Sequence, residues 1–500
     1  MKKNIILIAG GLLTSSTLFA GQYSIASFGA TPDTAVLSTQ AIQSAIDACS
    51  ASGGGQVVIP AGHYKTGSIF LKSGVDLHLE SGAVLWGSKN LADYVKVKPA
   101  YVSLRTQEAT IQLIYAENAA QVSITGQGVI DGQGSGFAKL TWNDEGVTRP
   151  HLLRFVTCSG VTVRGVTLRS SGCWMQHYLA CENLQISGVR VFNRNNYNND
   201  ALDIDGCRNV TVSDLIADSD DDGVTLKSTS PKPCENITIT GCVISSRCNA
   251  IKLGTETTGG FRNINISGCV VKPSEVAAPA FFGREGGISA VSLEVVDGGV
   301  MEGVSVSNLT VDGTEAPLFI RLANRARPYR EGATVDHVGQ IRGVMISNVH
   351  IRNAGKTGCS ITGLPQHPVS NVRLSNIVYG QAGGGAAGDA DREVEEKPEE
   401  YPEATMFGTL PAYGFYIRHA ANVALEGVAL TAATPDARPA LHLEDVEGAV
   451  LGGIQLQGGE KAKANIRLRA SRKIIIGEPV VDGKPGAIID SDRASTLTER

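Results

Sequence analysis

The sequence predicts an all-β fold, a right-handed single-stranded parallel β-helix, and three observations lead to it. Stretches of one pattern recur, among them ENLQISGVRV, RNVTVSDLIA and ENITITGCVI. Their asparagines, Asn183, Asn209, Asn236 and Asn263, are 26, 27 and 27 residues apart. Each repeat contains only short alternating strands and turns, and it is too short for a propeller blade. Such a period indicates a solenoid whose coils each add one strand to several parallel sheets, with the usual right-handed crossover.

Composition places the chain among folded globular proteins. It has 500 residues, of which 42% are hydrophobic and 19% charged, so it has enough apolar surface for a large core. The formal net charge of -5 gives no reason to expect a nucleic-acid partner. An acidic polysaccharide stays possible, because local charge decides that contact.

The first twenty residues have the pattern of a signal peptide. Lys2 and Lys3 precede an apolar run that ends near Ala20. We therefore expect export, to the periplasm or outside the cell, with no membrane association after cleavage because no later run is long enough to span a bilayer. Residues 21–500 then form a single β-helix domain, which we expect to be a monomer.

Two segments depart from the repeat. A helix at about 38–50 places Ile42, Ala45, Ile46 and Cys49 on one face and is predicted to cap the first coil. A long inserted loop at about 380–410 is Gly/Ala-rich and then acidic, and loops of this length are usually functional or disordered.

Of the ten cysteines, an exported chain could pair some as disulfides, but three are predicted to be buried thiols. Cys207, Cys242 and Cys269 recur at nearly the same place in the repeat, as residues stacked in a core would. We find no Cys/His spacing typical of a zinc site, and we expect neither a metal nor another cofactor.

Aspartates cluster on one recurrent strand. The strand is seen as DALDI at 200, DGVTL at 222, NAIKL at 249, SAVSL at 289 and LFIRL at 318. Asp200 and Asp222 take its first place, 22 residues apart, with Asp221 beside them. The fourth place is predicted to face solvent in every coil, and it holds Asp203, Thr225, Lys252, Ser292 and Arg321. Acids and cations would then line a long open groove suited to an elongated polymer.

Crowded carboxylates suit acid–base chemistry. Mutual repulsion raises the pKa of at least one member and leaves others charged. A glycosidase needs those two states, an acid for the leaving oxygen and a base for water. On spacing alone, a calcium site or a solvated acidic turn explains the cluster equally well.

The motifs NNDALDID and DDGVTLKS resemble those of the polygalacturonase family of pectin-degrading glycoside hydrolases. The stretches SIASFGATPD, LHLESGAVLWGS and GVIDGQG resemble the same family's opening. The resemblance implies a pectin-lyase-like solenoid that hydrolyses α-linked galacturonic-acid polymers with inversion, its partner being acidic plant-cell-wall pectin. It also implies that Asp221 is the general acid and that Asp200 and Asp222 activate water.

The chain departs from the family pattern at its substrate clamp. CNAIKLG stands where the family has Gly-His-Gly, so Asn249 replaces the histidine, and GGISAVSLEV stands where Arg-Ile-Lys is expected. Lys252 and Arg321 are predicted to bind a uronate carboxylate instead. Further substrate-binding candidates are Lys227, Glu256 and Arg284, and His177 and Trp174 are candidates for lining a subsite. These departures fit a branch acting on rhamnogalacturonan or on a terminal galacturonide.

Two other classes share these features. A pectate-lyase-like polysaccharide lyase would use the same fold and substrate with calcium, and a non-catalytic β-helix glycan binder would share the fold alone. Carboxylates on adjacent coils are also expected about 5 Å apart, a separation that the general rule associates with retention of configuration.

Overall fold

The computed structural model describes residues 21–139, 149–276 and 284–499. Strands of successive coils pair in parallel and form three stacks along the chain. The predicted parallel β-helix is confirmed. The predicted signal peptide at 1–20 lies outside the described residues.

The strands are assigned to the stacks by their pairing. The first stack begins with Gly21–Ser24, Gly55–Ile59, Val75–Leu79, Ala120–Gly126, Ser159–Arg164, Glu182–Ser187, Arg208–Ser213, Cys234–Thr240 and Phe261–Ser267, and it ends with Arg472–Ile476 and Leu497–Glu499. The second contains Gly62–Thr66, Ala83–Gly87, Val129–Asp131, Thr167–Arg169, Arg190–Asn193, Ile216–Ser219, Val243–Ser246, Val270–Val271, Gln455–Gln457 and Val480–Val481.

The third stack carries the residues that concern function. It contains Ile69–Phe70, Thr110–Glu117, His151–Val156, Gln176–Leu179, Leu202–Asp205, Val224–Ser228, Asn249–Thr257, Ser289–Val295, Leu318–Leu322, Cys359–Thr362, Ile466–Arg469 and Ile489–Ser491. Long strands continue from one stack into another: Val300–Asp312, Gln340–Ala354, Val369–Gly383, Phe415–Thr434 and Leu441–Gly452. Two short strands each pair antiparallel with a neighbour: Lys96–Val97 with Thr110–Glu117, and Lys484–Pro485 with Val480–Val481.

The repeated asparagines have a structural cause. Asn183, Asn209, Asn236 and Asn263 all have left-handed backbone, with φ between 54° and 58°, a conformation that asparagine tolerates better than most residues. The side-chain amides of Asn209, Asn236 and Asn263 each donate to the asparagine of the preceding coil, over 3.1, 3.2 and 3.1 Å. The turn and the amide ladder together produce the period seen in the sequence.

Apolar side chains fill the interior of the coils, and a helix covers the first of them. The helix Thr39–Ala51 buries Ile42, Ala45, Ile46 and Cys49 against the coil, where the sequence placed its cap. The remaining helices are short: Ile25–Phe28, Leu91–Asp93, Gly134–Gly136 and Ala387–Ala390. Cys207, Cys242 and Cys269 are buried thiols, as the repeat predicts. No helix within the described ranges has the length and hydropathy to cross a membrane.

The outer face of the third stack is covered, which corrects one expectation. Asp203, Thr225, Lys252, Ser292 and Arg321 were predicted to face solvent, yet each is at most 1% exposed. Segments 94–109, 323–338 and 384–414, which lie between coil strands, pack over this face. The backbone N–H of Asn324 donates to the carbonyl of Pro398 over 2.8 Å, which links two of the segments.

Candidate active site

Asp200 and Asp222 stack on adjacent coils. Leu202 pairs with Val224, and Val224 pairs with Ile251, so the positions two residues earlier, Asp200, Asp222 and Asn249, form one column. The prediction that the two aspartates share one face is therefore confirmed.

Asp221 joins them to form a compact trio. One carboxylate oxygen from each of Asp200, Asp221 and Asp222 lies within 4.8 Å of the others. A single water that donates to two carboxylates holds their oxygens about 4.5 Å apart, given the usual hydrogen-bond length. The trio therefore has the spacing to hold one water between two of its members.

The surroundings of Asp221 raise the pKa of its carboxyl group. Burial, followed by the negative charges of Asp200 and Asp222, raises the pKa of Asp221 well above its ordinary value. Its own Oδ1 accepts from the backbone N–H of Asp222 over 2.8 Å, which fixes the rotamer. The shift favours the protonated side chain, which is the form that can give a proton to a leaving oxygen.

Asp222 is surrounded by donors. Its Oδ1 accepts from the backbone N–H and the Nδ2 of Asn249, over 3.2 and 2.9 Å, and its Oδ2 lies 3.1 Å from Lys252 Nζ. Burial alone would lower the pKa of Lys252, but Asp222 and other neighbours raise it well above its ordinary value. An ammonium and two amide donors stabilise a carboxylate, so these contacts suit Asp222 to act as a base.

Asp200 lies between these two states. Burial raises its pKa to about 7; Lys227 and Lys252 oppose that shift and Asp222 adds to it. Lys227 Nζ lies 4.0 Å from Asp200 Oδ2 and 3.4 Å from Asp203 Oδ1. Asp200 therefore gains and loses its proton near neutral pH.

Lys227 is the centre of a second charge cluster. Its Nζ lies 3.7 Å from Glu256 Oε2, and Glu256 Oε1 lies 2.6 Å from Arg105 Nη2. Burial alone would raise the pKa of Glu256, but Arg105, Lys227 and Arg327 together hold it well below its ordinary value. Both cations lie over the ring of Trp174, with Lys227 Nζ 4.9 Å and Arg105 Cζ 5.1 Å from its centroid.

Two compartments of unequal size adjoin the trio, and Asp221, Asp222 and Tyr401 line both of them. The compartment beside Lys227 has a volume of about 20 Å³, which is room for about one water. The compartment beside Lys252 has a volume of about 400 Å³, within the usual range for small-ligand sites. The aspartates of the trio are only 3 to 8% exposed. Room for a sugar lies on one side of them, in the large compartment. The prediction of a long open groove is therefore wrong.

Most of the predicted substrate-binding residues lie at these compartments. Asn249 and Lys252 contact Asp222, while Lys227 and Glu256 line the small compartment. Arg284 lines the large one, where its half-exposed side chain lies 3.4 Å from Glu315.

Arg321 lies elsewhere. It pairs in register with Glu294 rather than with Ser292, and among the described residues it lines neither compartment. Its guanidinium donates to the carbonyls of Gly363, over 3.1 Å, and of Glu396. The side chain therefore holds backbone in place, and its predicted solvent-facing position is wrong.

The two aromatic candidates differ in position. Trp174 lines the small compartment. His177 lies beneath it, fully buried, with its Nε2 3.1 Å from Asp205 Oδ2. Burial lowers the pKa of His177 to about 4 in spite of Asp205, so the ring is neutral and supports the floor of the site.

Sequence reasoning missed three residues of the site, namely Arg105, Tyr401 and Glu403. All three lie on segments outside the coil repeat, so no periodicity places them. For Tyr401 and Glu403 the one available signal was the length of the insertion that carries them, which marks it as functional or disordered without saying where it folds. Burial raises the pKa of Glu403, which faces Lys252 and Asp222 across the large compartment.

Comparisons with known proteins identify the family of this chain. The family model described as "Glycosyl hydrolases family 28" matches residues 49–384, more than half of the chain. A "Probable polygalacturonase" of Vitis vinifera is 32% identical over 215 residues, covering 41% of this chain and 44% of that protein. An "Exo-poly-alpha-D-galacturonosidase" of Dickeya chrysanthemi is 28% identical over 262 residues, covering 43% of each. The matched region thus spans less than half the length of these relatives.

A solved structure agrees on the fold. The hyperthermoactive exopolygalacturonase from Thermotoga maritima matches with a TM-score of 0.63 and 19% identity, covering 82% of this chain and 91% of that one. The resemblance first carried by NNDALDID and DDGVTLKS is confirmed by the extent of the family match. The chain belongs to glycosyl hydrolases family 28.

Proposed function

We propose that the protein hydrolyses α-glycosidic bonds of galacturonic-acid-containing pectic polysaccharide. The observation that carries this proposal is the close placement of Asp221, whose pKa is raised, and Asp222, which contacts Lys252 and Asn249, with oxygens of the two carboxylates within 4.8 Å of each other. Membership of a glycosyl hydrolase family supports hydrolysis over both the lyase and the binder alternatives.

In this mechanism Asp221 protonates the glycosidic oxygen as the bond breaks. Asp222, together with ionised Asp200, takes a proton from the water that attacks the anomeric carbon. The water's hydroxyl oxygen forms the new bond, and the leaving sugar departs as an alcohol. The family resemblance implies inversion at that carbon. The carboxylates of the trio lie closer together than the separation that is usual in inverting enzymes.

The cations support an anionic substrate. Lys252 and Arg284 line the large compartment, and Lys227 and Arg105 line the small one. A uronate carboxylate in the large compartment would make charge-assisted hydrogen bonds with Lys252 and Arg284.

The unequal compartments favour attack at a chain end. A polymer that crosses the site needs room on both sides of the carboxylates, and one side holds about 20 Å³. We therefore propose that a terminal galacturonide lies over the trio while the rest of the chain leaves through the large compartment.

Product analysis tests the substrate and the mode together. On polygalacturonate we expect monogalacturonate from the first minutes, with little loss of viscosity, and weaker activity on rhamnogalacturonan. NMR of the first product should show the inverted anomer. Early release of mixed oligomers would contradict the terminal mode, and activity confined to neutral glycans would contradict the substrate class.

Metal removal should leave activity unchanged. Three carboxylates could attract a cation, but Lys227 and Lys252 already supply two positive charges within 4.0 Å of Asp200 and Asp222, and the raised pKa of Asp221 disfavours its charged form. We expect the same kcat/KM with and without a chelator, and saturated products. Loss of turnover that calcium restores, with an unsaturated product, would favour the lyase alternative.

Location and assembly remain predictions of the sequence. Residues 1–20 predict export, and a test is the N-terminal sequence of the mature protein. A monomer is expected and is checked by light scattering.

A further inference from the structure

Residues 384–414, called the insert here, form a structured cover over the site. The insert connects Val369–Gly383 to Phe415–Thr434 and, apart from its first residue, lies beyond the region matched to the family. It forms a second apolar cluster with the outer face of the coils. The cluster contains Val394, Ala404, Phe407, Leu410 and Ala412 from the insert and Cys248, Ile288, Ala316, Phe319 and Tyr416 from the coils.

Arginines from the coils hold the backbone of the insert. Four guanidinium groups donate to its carbonyls: Arg321 to Glu396, Arg418 to Val394, Arg438 to Leu410 and Arg467 to Ala390. Hydrogen bonds from a charged donor are stronger than those between neutral groups. The insert is therefore fixed on the coils, and so are the side chains that it carries to the site.

Tyr401 is the insert's main contribution to the site. Its Oη accepts a hydrogen bond from Lys252 Nζ over 3.0 Å. The same Nζ lies 3.1 Å from Asp222 Oδ2. Arg325 Cζ lies 5.1 Å from the centroid of the Tyr401 ring, which is 41% exposed at the wall between the two compartments. Burial raises the pKa of Tyr401 well above its ordinary value, so its hydroxyl stays protonated and neutral.

The donors of Lys252 can be counted. An ammonium has three N–H donors, and the described residues account for two of them, at Asp222 and Tyr401. Lys252 also lines the large compartment, so the third donor is available to a ligand there.

We propose that Tyr401 is a positioning residue that holds the Lys252 ammonium between Asp222 and the large compartment, where its third donor binds the carboxylate of the galacturonide. This inference rests on the proposed function. Without the Tyr401 hydroxyl, the acceptors left for the Lys252 ammonium are carboxylates: Asp222 in contact, and Glu294 and Glu403 nearby. The ammonium would then move away from the substrate, while Asn249 would still hold Asp222 in place.

The test compares Tyr401→Phe with a matched control. Tyr416→Phe also deletes a tyrosine hydroxyl, one that donates to Glu444 over 2.6 Å beneath the same insert and lines neither described compartment. We expect Tyr401→Phe to raise KM for trigalacturonate about 10-fold, because one charge-assisted contact is lost, with kcat nearly unchanged. Tyr416→Phe should leave both constants as in the wild type, and thermal melts should show both variants folded.

The methyl ester of trigalacturonate separates positioning from simple packing. The ester has no carboxylate for Lys252, so Tyr401→Phe should change its KM little. An equal rise in KM for the acid and the ester, or no rise for the acid, would overturn the inference and leave the proposed function standing. A wild-type protein that hydrolyses no galacturonide would overturn both.

Discussion

Asp221→Asn is expected to lower kcat on oligogalacturonate by about 100- to 10,000-fold, the range typical for removal of a general acid. The amide keeps the shape of the side chain and can still accept from the backbone N–H of Asp222. It has no proton of suitable acidity to give to the glycosidic oxygen. Because substrate contacts are kept, KM should change much less than kcat.

The leaving group identifies the role of Asp221. An aryl galacturonide with an acidic phenol needs no proton to depart, so the Asp221→Asn variant should retain much of the wild-type kcat on it. Asp222→Asn should be slow on both substrates, because water still needs a base. If Asp221→Asn is equally slow on both substrates, the acid has been assigned to the wrong aspartate.

A conservative control lies at the turn between strands Arg208–Ser213 and Ile216–Ser219. Asp214 is exposed and has left-handed backbone with φ of 55°, which asparagine tolerates well. Asp214→Asn also removes one carboxylate, and it should show the kcat and melting temperature of the wild type. A similar loss of activity in this variant would mean that net charge, not the position of Asp221, controls turnover.

The stacking of the trio was predictable because it depends on the repeat. Coils of nearly constant length bring Asp200 and Asp222 to equivalent positions, and the asparagine ladder keeps the coils in register. The sequence is informative wherever one coil repeats the next.

The position of Arg321 was not predictable from the same pattern. LFIRL was aligned with SAVSL by matching apolar residues, which puts Arg321 beside Ser292. The structure pairs Leu318 with Val291, so the register differs by two residues. Side chains alternate with a period of two, and a shift of two residues therefore leaves the apolar pattern unchanged.

Exposure was mispredicted for a related reason. Alternation separates the inside of the coil from its outside, and Lys252 does lie outside. Whether that face meets water depends on segments without periodicity, such as the insert that carries Tyr401. The two compartments and the tyrosine between them could therefore be seen only in the structure.

Lys252→Met is expected to lower kcat/KM by at least about 100-fold, since it breaks a buried ion pair and removes a substrate contact. The methionine is of similar length and fills the same space. Both limbs of the pH profile of kcat/KM should also move to higher pH. Lys252 lowers the pKa of Asp200, which burial raises to about 7, and it opposes the raised pKa of Asp221.

Removing that ammonium raises both pKa values further. Asp200 must lose its proton to act with Asp222, so the acid limb should move up by about one pH unit. Asp221 keeps its proton to higher pH, so the alkaline limb should move the same way. Arg321→Met is the matched control, because it removes another buried cation of the third stack, and it should lower the melting temperature by loosening the insert without shifting either limb. Unchanged limbs in Lys252→Met, or equal shifts in both variants, would mean that Lys252 does not set the charge of the catalytic aspartates.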